Sequence, residues 1–166
     1  IDFITADAET VPIRDGFDLI TSNACMQWFA DTKAAVARFR SMLNDSGMLL
    51  FSTFGPATLH ELNAVFAKLY KSDIAISSKE FLDEKALSEI LNRSFGLFAI
   101  RTEAFTEQYD SLADLLKRIK YTGTRGRGIS GRQLSRADMA KAESIYKDDF
   151  GGIEATYQIY YCQARK

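Results

Sequence analysis

The chain has 166 residues, of which 46% are hydrophobic, 12% aromatic and 26% charged, and its formal net charge is −1. This length and composition are typical of one globular domain with its own hydrophobic core. The near-zero charge excludes a polyelectrolyte, so we expect no nucleic-acid partner.

The sequence contains no apolar run near the ~20 residues that span a bilayer, and no basic segment followed by an apolar leader. Its two cysteines, Cys25 and Cys162, are too few for a disulfide framework and lack metal-ligand spacing. We therefore expect a cytoplasmic protein without a membrane partner or a metal site.

Two short apolar, β-branched runs near the start of the chain end on small polar residues. Residues 2–6 lead into Asp7 and Ala8, and residues 18–22 lead into Asn23. An open parallel sheet has this pattern where the carboxyl ends of its strands face a ligand. Both runs are therefore predicted strands beside a binding site.

Strands and helices then alternate along the chain. Asp31 is placed to cap a helix that continues to the turn at 44–47, and residues 48–54 form the apolar run of a strand buried on both faces. Thr58 and Glu61 fit the capping-box pattern at the start of another helix.

The alternation of helix-type and strand-type hydrophobic patterns continues in the second half of the chain. It predicts helices over 83–94, 111–121 and 135–146, and strands over 97–109 and 155–162. Ser135 to Asp138 form the cap pattern of the third of these helices. The pattern predicts an α/β sandwich with a mainly parallel sheet, closed by an antiparallel C-terminal edge with a helical insertion between its two strands.

The motifs ADAETVP, FDLITSNACMQW and SGMLLFSTFGPATLHEL, in this order, resemble the second half of class I S-adenosylmethionine-dependent methyltransferases. More narrowly, the chain is similar to the malonyl-acyl-carrier-protein O-methyltransferases of biotin synthesis. The residues that carry the narrower likeness are Gln27-Trp28, Ser52 to Leu59, Leu116-Lys117, Thr122-Gly123, Leu134 to Arg136 and Tyr157 to Tyr160.

This resemblance implies an incomplete Rossmann-like methyltransferase sandwich, with residues 1–166 as a single domain and a helical, basic lid over 111–149. It also implies S-adenosyl-L-methionine as co-substrate and an acyl-carrier protein as partner. By position, Asp7 would accept a hydrogen bond from the adenine amino group, the Ala8 amide would meet the ring, and Ser22 and Asn23 would line the methionine end. The alternatives are an Asx turn at Asp7 and a solvated turn at Ser22 and Asn23.

Gln27 and Trp28 follow the second predicted strand on the ligand side, where the resemblance implies a wall of the acyl pocket. The alternative for Trp28 is an ordinary core position. Lys117 and Arg118 begin a basic, glycine-rich stretch without acids, suited to an acidic carrier and its phosphate-bearing arm. The alternatives are a solvated loop and nucleic-acid binding, and the lack of interleaved aromatic residues disfavours the latter.

No general base is assigned. A carboxylate acceptor is already ionised at pH 7, so methyl transfer needs alignment, exclusion of water and a countercharge. His60, the one histidine, falls on the first turn of a predicted helix, where we expect a solvated side chain.

The first predicted strand, residues 2–6, corresponds to the third strand of the family's sheet. In the family this strand is joined to the fourth through the second and first strands, and the resemblance begins after those two strands. We expect residues 2–6 either to pair with residues 18–22 or to leave an edge that pairs with a second copy of the chain. The edge would then support a homo-oligomer.

Two other functions compete with carboxyl methylation. One is a class I methyltransferase that acts on another small molecule. The other is a non-catalytic module that binds the carrier or self-associates. A nicotinamide-dependent oxidoreductase is disfavoured because its glycine fingerprint is absent from these residues.

The family's glycine-rich loop and ribose-binding acid are not found in this sequence. Each charge-assisted hydrogen bond contributes roughly 1.5–3 kcal/mol, so we expect the 166 residues alone to lack useful affinity for S-adenosylmethionine. Calorimetric titration of the chain should give no measurable saturation, and a micromolar dissociation constant would contradict this expectation.

Overall fold

The computed structural model describes residues 2–13, 16–71, 77–121 and 134–166. These residues form four strands and five α-helices, besides two short 3-10 helices at Met26–Trp28 and Ser77–Glu80. In chain order the elements are β1 Phe17–Asn23, α1 Thr32–Met42, β2 Leu43–Phe54, α2 His60–Tyr70, α3 Glu84–Ser94, β3 Leu97–Tyr109, α4 Leu112–Tyr121, α5 Arg136–Phe150 and β4 Ile153–Arg165.

The strands form one sheet in the order β1-β2-β4-β3. β1 is parallel to β2. β4 is antiparallel to both of its neighbours, as the bonds from Lys166 to Gly47 and from Gly55 to Gln158, and the side-chain pairs Thr106–Thr156 and Gln108–Glu154, show. The predicted α/β class, an incomplete Rossmann-like sandwich with an antiparallel C-terminal edge, is therefore confirmed. The prediction of a mainly parallel sheet does not hold for the described strands, because β4 lies between β2 and β3 and only the β1–β2 pairing is parallel.

The prediction of a strand at residues 2–6 is wrong. These residues have no regular structure, and the side chains of Phe3 and Ile4 are 92% and 66% exposed. Among the residues described, β1 pairs only with β2, so residues 2–6 do not lie beside 18–22 either. Without a ladder partner, an apolar run does not remain extended as a strand. Pairing of the β1 edge with a second copy stays a prediction.

The predicted turn at residues 44–47 lies within β2 as an irregularity. The register passes from Phe17 opposite Leu43 to Leu19 opposite Met48, which leaves the extra residues of β2 bulged. Gly47 is required there, since a Cβ at this position would lie 2.9 Å from the Asn44 carbonyl oxygen and 3.0 Å from that of Phe17.

By contact density the chain divides into two compact units. The first comprises Ile1–Thr53, Leu82–Thr102 and Tyr160–Lys166, and the second comprises Phe54–Phe81 and Glu103–Ile159. The predicted lid over 111–149 belongs to the second unit, and its basic residues Arg125, Arg127 and Arg132 lie outside the described residues. A single domain with a lid stays a prediction.

The first unit packs α1 and α3 together. Their apolar faces bury Val36 and Leu91 completely, in one cluster with Leu49 of β2. The helix α1 begins as the sequence predicts, because the Asp31 side chain accepts a hydrogen bond from the Ala34 amide. In α3 the structure adds a cap of the same kind, in which Asp83 accepts a hydrogen bond from the Ala86 amide.

The second unit has its own core, in which α5 contacts both α2 and α4. Phe66, Leu115 and Tyr146 are buried in this cluster together with Ala155 of β4. Ser135 and Asp138 form a reciprocal capping box at the start of α5, as the sequence predicts. No helix in the described part of the chain is long and apolar enough to span a bilayer.

The capping box predicted at Thr58 and Glu61 is wrong. The residue before α2 is Leu59, in a left-handed conformation and without a side-chain cap. Thr58 instead bonds the backbone of Gln158 in both directions, at 3.1 and 3.2 Å. Glu61, 1% exposed, accepts hydrogen bonds from the amide of Thr156, at 3.1 Å, and from its hydroxyl. Its carboxylate thus binds Thr156 of β4 and does not cap its own helix.

We therefore expect Glu61→Ala to lower the free energy of unfolding by about 2–4 kcal/mol, because two partly buried donors of Thr156 lose their acceptor. The variant Glu89→Ala, at an exposed position of α3, is the control and should have little effect. Denaturant titration measures both, and equal effects of the two variants would contradict the role given to Glu61.

Candidate functional site

The carboxyl ends of β1 and β2 lie side by side, with Asn23 opposite Ser52. The chain turns sharply after Asn23, where Ala24 has a φ of 47°. The Ala24 amide donates to the carbonyl oxygen and to Oγ of Ser52, both at 3.0 Å, and the Ser52 hydroxyl donates to Oδ1 of Asn23. Ser52 therefore fixes both the turn and the amide side chain of Asn23, while Ser22 is half-buried beside it.

Gln27 and Trp28 follow this turn in the short 3-10 helix whose buried residue is Met26. The Gln27 side chain braces the loop, because its Nε2 donates to the Ala24 carbonyl at 2.7 Å and its Oε1 accepts from the Thr53 hydroxyl at 3.2 Å. The Trp28 side chain is 39% exposed. Its indole thus presents apolar surface next to the polar strand ends.

Asp7 forms a turn with the residues that follow it. Its carboxylate accepts from the Glu9 amide at 2.9 Å and from the Thr10 hydroxyl at 3.3 Å, while its carbonyl accepts from the Val11 amide at 2.9 Å. The alternative of an Asx turn therefore describes its conformation here. The carboxylate is exposed, and its two oxygens offer about four lone-pair sites, which leaves room for a further donor.

Two side chains tie this turn to α1. The Glu9 carboxylate accepts from the amides of Ala30 and Asp31, at 3.0 and 2.9 Å. The Arg38 guanidinium donates to the carbonyl oxygens of Ala8, at 2.9 Å, and Val11. The turn that carries Asp7 and Ala8 is thereby placed on the helix that follows Gln27 and Trp28.

Lys117 and Arg118 belong to the second unit, where both are exposed on α4. Burial raises the pKa of Tyr157, and the positive charge of Arg118 acts in the opposite direction. The Tyr157 hydroxyl lies 3.0 Å from that of Tyr109, which donates to Glu107 at 2.6 Å. Arg118 therefore lies within electrostatic range of Tyr157, the buried member of this tyrosine pair.

The two cysteines and the histidine do not form a common site with one another in the described residues. Cys25 is exposed, whereas burial raises the pKa of the Cys162 thiol to about 12. His60 is exposed, and its Nδ1 lies 3.2 Å from the Ala57 carbonyl oxygen. In the described ranges no group of three His, Cys, Asp or Glu side chains could hold a metal ion.

Sequence reasoning missed Ser52, Glu9 and Arg38. Ser52 had a readable signal, since a hydroxyl near the end of an apolar strand is suited to hydrogen-bond the neighbouring parallel strand end. Glu9 and Arg38 had none, because their partners lie 21 to 30 residues away along the chain.

Comparison with known proteins gives consistent results. Residues 1–51 match a family model described as a methyltransferase domain. A malonyl-acyl-carrier-protein O-methyltransferase of Laribacter hongkongensis is 31% identical to this chain. The match includes 97% of this chain and 55% of the length of that relative. The protein of the same name from Halalkalibacterium halodurans is 34% identical and covers 99% of this chain, which spans 65% of it.

Solved structures show the same fold. The YcgJ protein of Bacillus subtilis superposes with a TM-score of 0.59 at 17% identity, over 97% of this chain and 69% of its own. A protein of Bacillus halodurans C-125 gives the same TM-score at 15% identity and the same coverage. The chain is thus similar along nearly its whole length to malonyl-acyl-carrier-protein O-methyltransferases, of which it spans 55% and 65%, and it has the fold of these two solved structures.

Proposed function

We propose that the full-length protein transfers a methyl group from S-adenosylmethionine to the free carboxylate of malonyl-acyl-carrier protein, a step of biotin synthesis. The observation that carries the proposal is the similarity over nearly the whole chain, at 31% and 34% identity, to relatives with that name. The chain spans 55% and 65% of their lengths, so the activity is inferred for the full-length protein. A cytoplasmic location stays a prediction.

The turn at Asp7 and Ala8 and the end of β1 would supply the residues for the co-substrate. Asp7 keeps an exposed carboxylate with acceptor capacity for the adenine amino group, and the amide of Ala8 follows it directly. Ser22 and Asn23 would line the methionine end, where Ser52 holds the Asn23 side chain in place. These donors and acceptors fit the polar parts of S-adenosylmethionine.

The reaction itself needs little from acid or base groups. A carboxylate oxygen of the malonyl group forms a bond to the methyl carbon while the carbon–sulfur bond breaks, which leaves a methyl ester and S-adenosylhomocysteine. The protein has to align the two reactants and exclude water. The exposed indole of Trp28, on a loop braced by Gln27, would wall the acyl group.

The exposed cations of α4 would receive the carrier. Acyl-carrier proteins are acidic and present a phosphate on the arm that holds the acyl group, so Lys117 and Arg118 supply the complementary charge. Both follow the buried residue Leu115, which anchors α4 in the core of the second unit. The cations are thus presented from an ordered helix.

The proposal predicts that the full-length protein methylates malonyl-carrier protein and leaves acetyl-carrier protein unchanged, because the latter lacks a free carboxylate. Transfer of a labelled methyl group to the carrier, followed by mass spectrometry of the acyl arm, measures this. Equal labelling of the two carriers would contradict the assignment. Methylation of free small acids without any methylation of malonyl-carrier protein would also contradict it and would favour a small-molecule methyltransferase.

We also expect the double variant Lys117→Ala/Arg118→Ala to raise the KM for malonyl-carrier protein by about 5- to 30-fold at low salt, as the loss of two surface ion pairs implies. The effect should shrink at high salt, where screening weakens the charges in both proteins. Lys33→Ala/Lys141→Ala removes two other exposed lysines as the matched control. An unchanged KM at low salt would remove the docking role.

A further inference from the structure

We infer that Glu9 and Arg38 are positioning residues that couple binding of the co-substrate to binding of the methyl acceptor. They connect the adenine loop, residues 7–11, to the acceptor loop, residues 24–31, through the first turns of α1. The inference rests on the proposed function, because that function gives Asp7 and Ala8 to the cofactor and Gln27 and Trp28 to the acceptor.

Glu9 makes the direct connection between the two loops. Its two carboxylate oxygens each accept one backbone amide, Oε2 from Ala30 at 3.0 Å and Oε1 from Asp31 at 2.9 Å. Both amides immediately precede α1, whose positive N-terminal end favours a negative charge at this place. A carboxylate that holds two consecutive amides fixes the direction of the backbone as well as its distance.

Arg38 holds the other end of the adenine loop. It lies seven residues after Asp31, about two helical turns along the same side of α1. Its planar guanidinium donates to the carbonyl oxygens of Ala8 and Val11, a pair that one ammonium group could not match in the same geometry. The amide of Ala8 thus lies between two anchors, Arg38 on its own carbonyl and Glu9 on the next residue.

Apolar packing does little to hold this loop. Among residues 2–10, every side chain is exposed except that of Glu9, which is half-buried. The turn made by Asp7 is internally bonded, so the loop moves as a unit relative to α1. The hydrogen bonds of Glu9 and Arg38 therefore determine the position of Asp7 and Ala8 relative to α1.

The acceptor loop is equally well connected internally. Gln27 is bonded to Ala24 and Thr53, and the amide of Phe29 donates to the Met26 carbonyl at 3.2 Å. Ala30 and Asp31 follow at once and carry the bonds to Glu9. A displacement of the segment around Trp28 is thus passed to the adenine loop through the Glu9 carboxylate.

The test uses the full-length protein and its Glu9→Gln variant, with S-adenosylhomocysteine and malonyl-carrier protein as probes. Glutamine keeps the length of the side chain but offers one acceptor for two amides. In the wild type, each probe should tighten the binding of the other. We express this synergy as the ratio of the dissociation constants of one probe measured without and with the other, and in Glu9→Gln this ratio should fall toward one. The dissociation constant of S-adenosylhomocysteine alone should rise about tenfold in the same variant. Calorimetry with each probe alone and with both measures the two quantities.

Two further variants separate positioning from general stability. Glu89→Gln, at an exposed position of α3 in the same unit, is the matched control and should leave affinity and synergy unchanged. Arg38→Lys keeps the positive charge but loses the planar guanidinium that binds two carbonyl oxygens at once, so this variant should lose part of the synergy. Arg38→Ala should lose more of it. Hydrogen exchange at the Ala30 and Asp31 amides should accelerate in Glu9→Gln with the melting temperature maintained. Should Glu9→Gln fail to fold, Arg38→Lys carries the test.

The outcomes are distinguishable. If the wild-type protein binds neither probe, the proposed function fails and the inference falls with it. If the wild type binds both with synergy and Glu9→Gln or Arg38→Lys retains that synergy within twofold, the coupling role is overturned while the proposed function stands. Loss of synergy in Glu89→Gln to the same extent would also overturn it.

Discussion

The candidate site depends on the parallel pairing of β1 with β2. This ladder places Asn23 opposite Ser52, so that two strand ends distant in sequence contribute polar groups to one edge of the sheet. The left-handed turn at Ala24 and the brace of Gln27 on Thr53 both follow from this register. A slip by one residue would turn Ser52 to the other face of the sheet and leave the loop without its acceptor.

Buried helices and exposed loops are held by different forces in this molecule. α1 and α3 are fixed by an apolar cluster, in which Val36 and Leu91 are fully buried. The loop after Asp7 instead depends on charge-assisted hydrogen bonds from Glu9 and Arg38. A loop held in this way can shift at lower cost than a core element, which is the behaviour expected of a segment that contacts a ligand.

Carboxylates complete the backbone hydrogen bonding at several irregular places. Glu61 takes up the amide and hydroxyl of Thr156 on β4, and Glu9 takes up the two amides before α1. Asp31 and Asp83 do the same within their own helices. The four acids serve one purpose, because backbone donors without a ladder or helix partner require an acceptor.

The sequence by itself determined the elements whose signals are local. Helical periodicity predicted α1, α3 and α5, and the caps at Asp31 and Ser135 predicted where α1 and α5 begin, because each of these caps lies within three residues of the amide that it binds. The same local reasoning failed at residues 2–6 and at Glu61. An apolar run becomes a strand only beside a partner, and a glutamate near a helix start can bind either its own helix or a distant strand.

Only the tertiary structure decided which side chains meet at the site. Family motifs and predicted strand ends proposed Asp7, Ala8, Ser22, Asn23, Gln27 and Trp28 as site residues, and their roles stay predictions. The sequence did not indicate that Ser52, Glu9 and Arg38 hold these loops in place. Their partners are separated by 21 to 30 residues. The contacts of Glu9 and Arg38 have no sequence signature, since they arise from how the loops and α1 are brought together and not from the spacing of residues along the chain. Ser52 had a local signal at its strand end, but only the β1–β2 register gave it its partners.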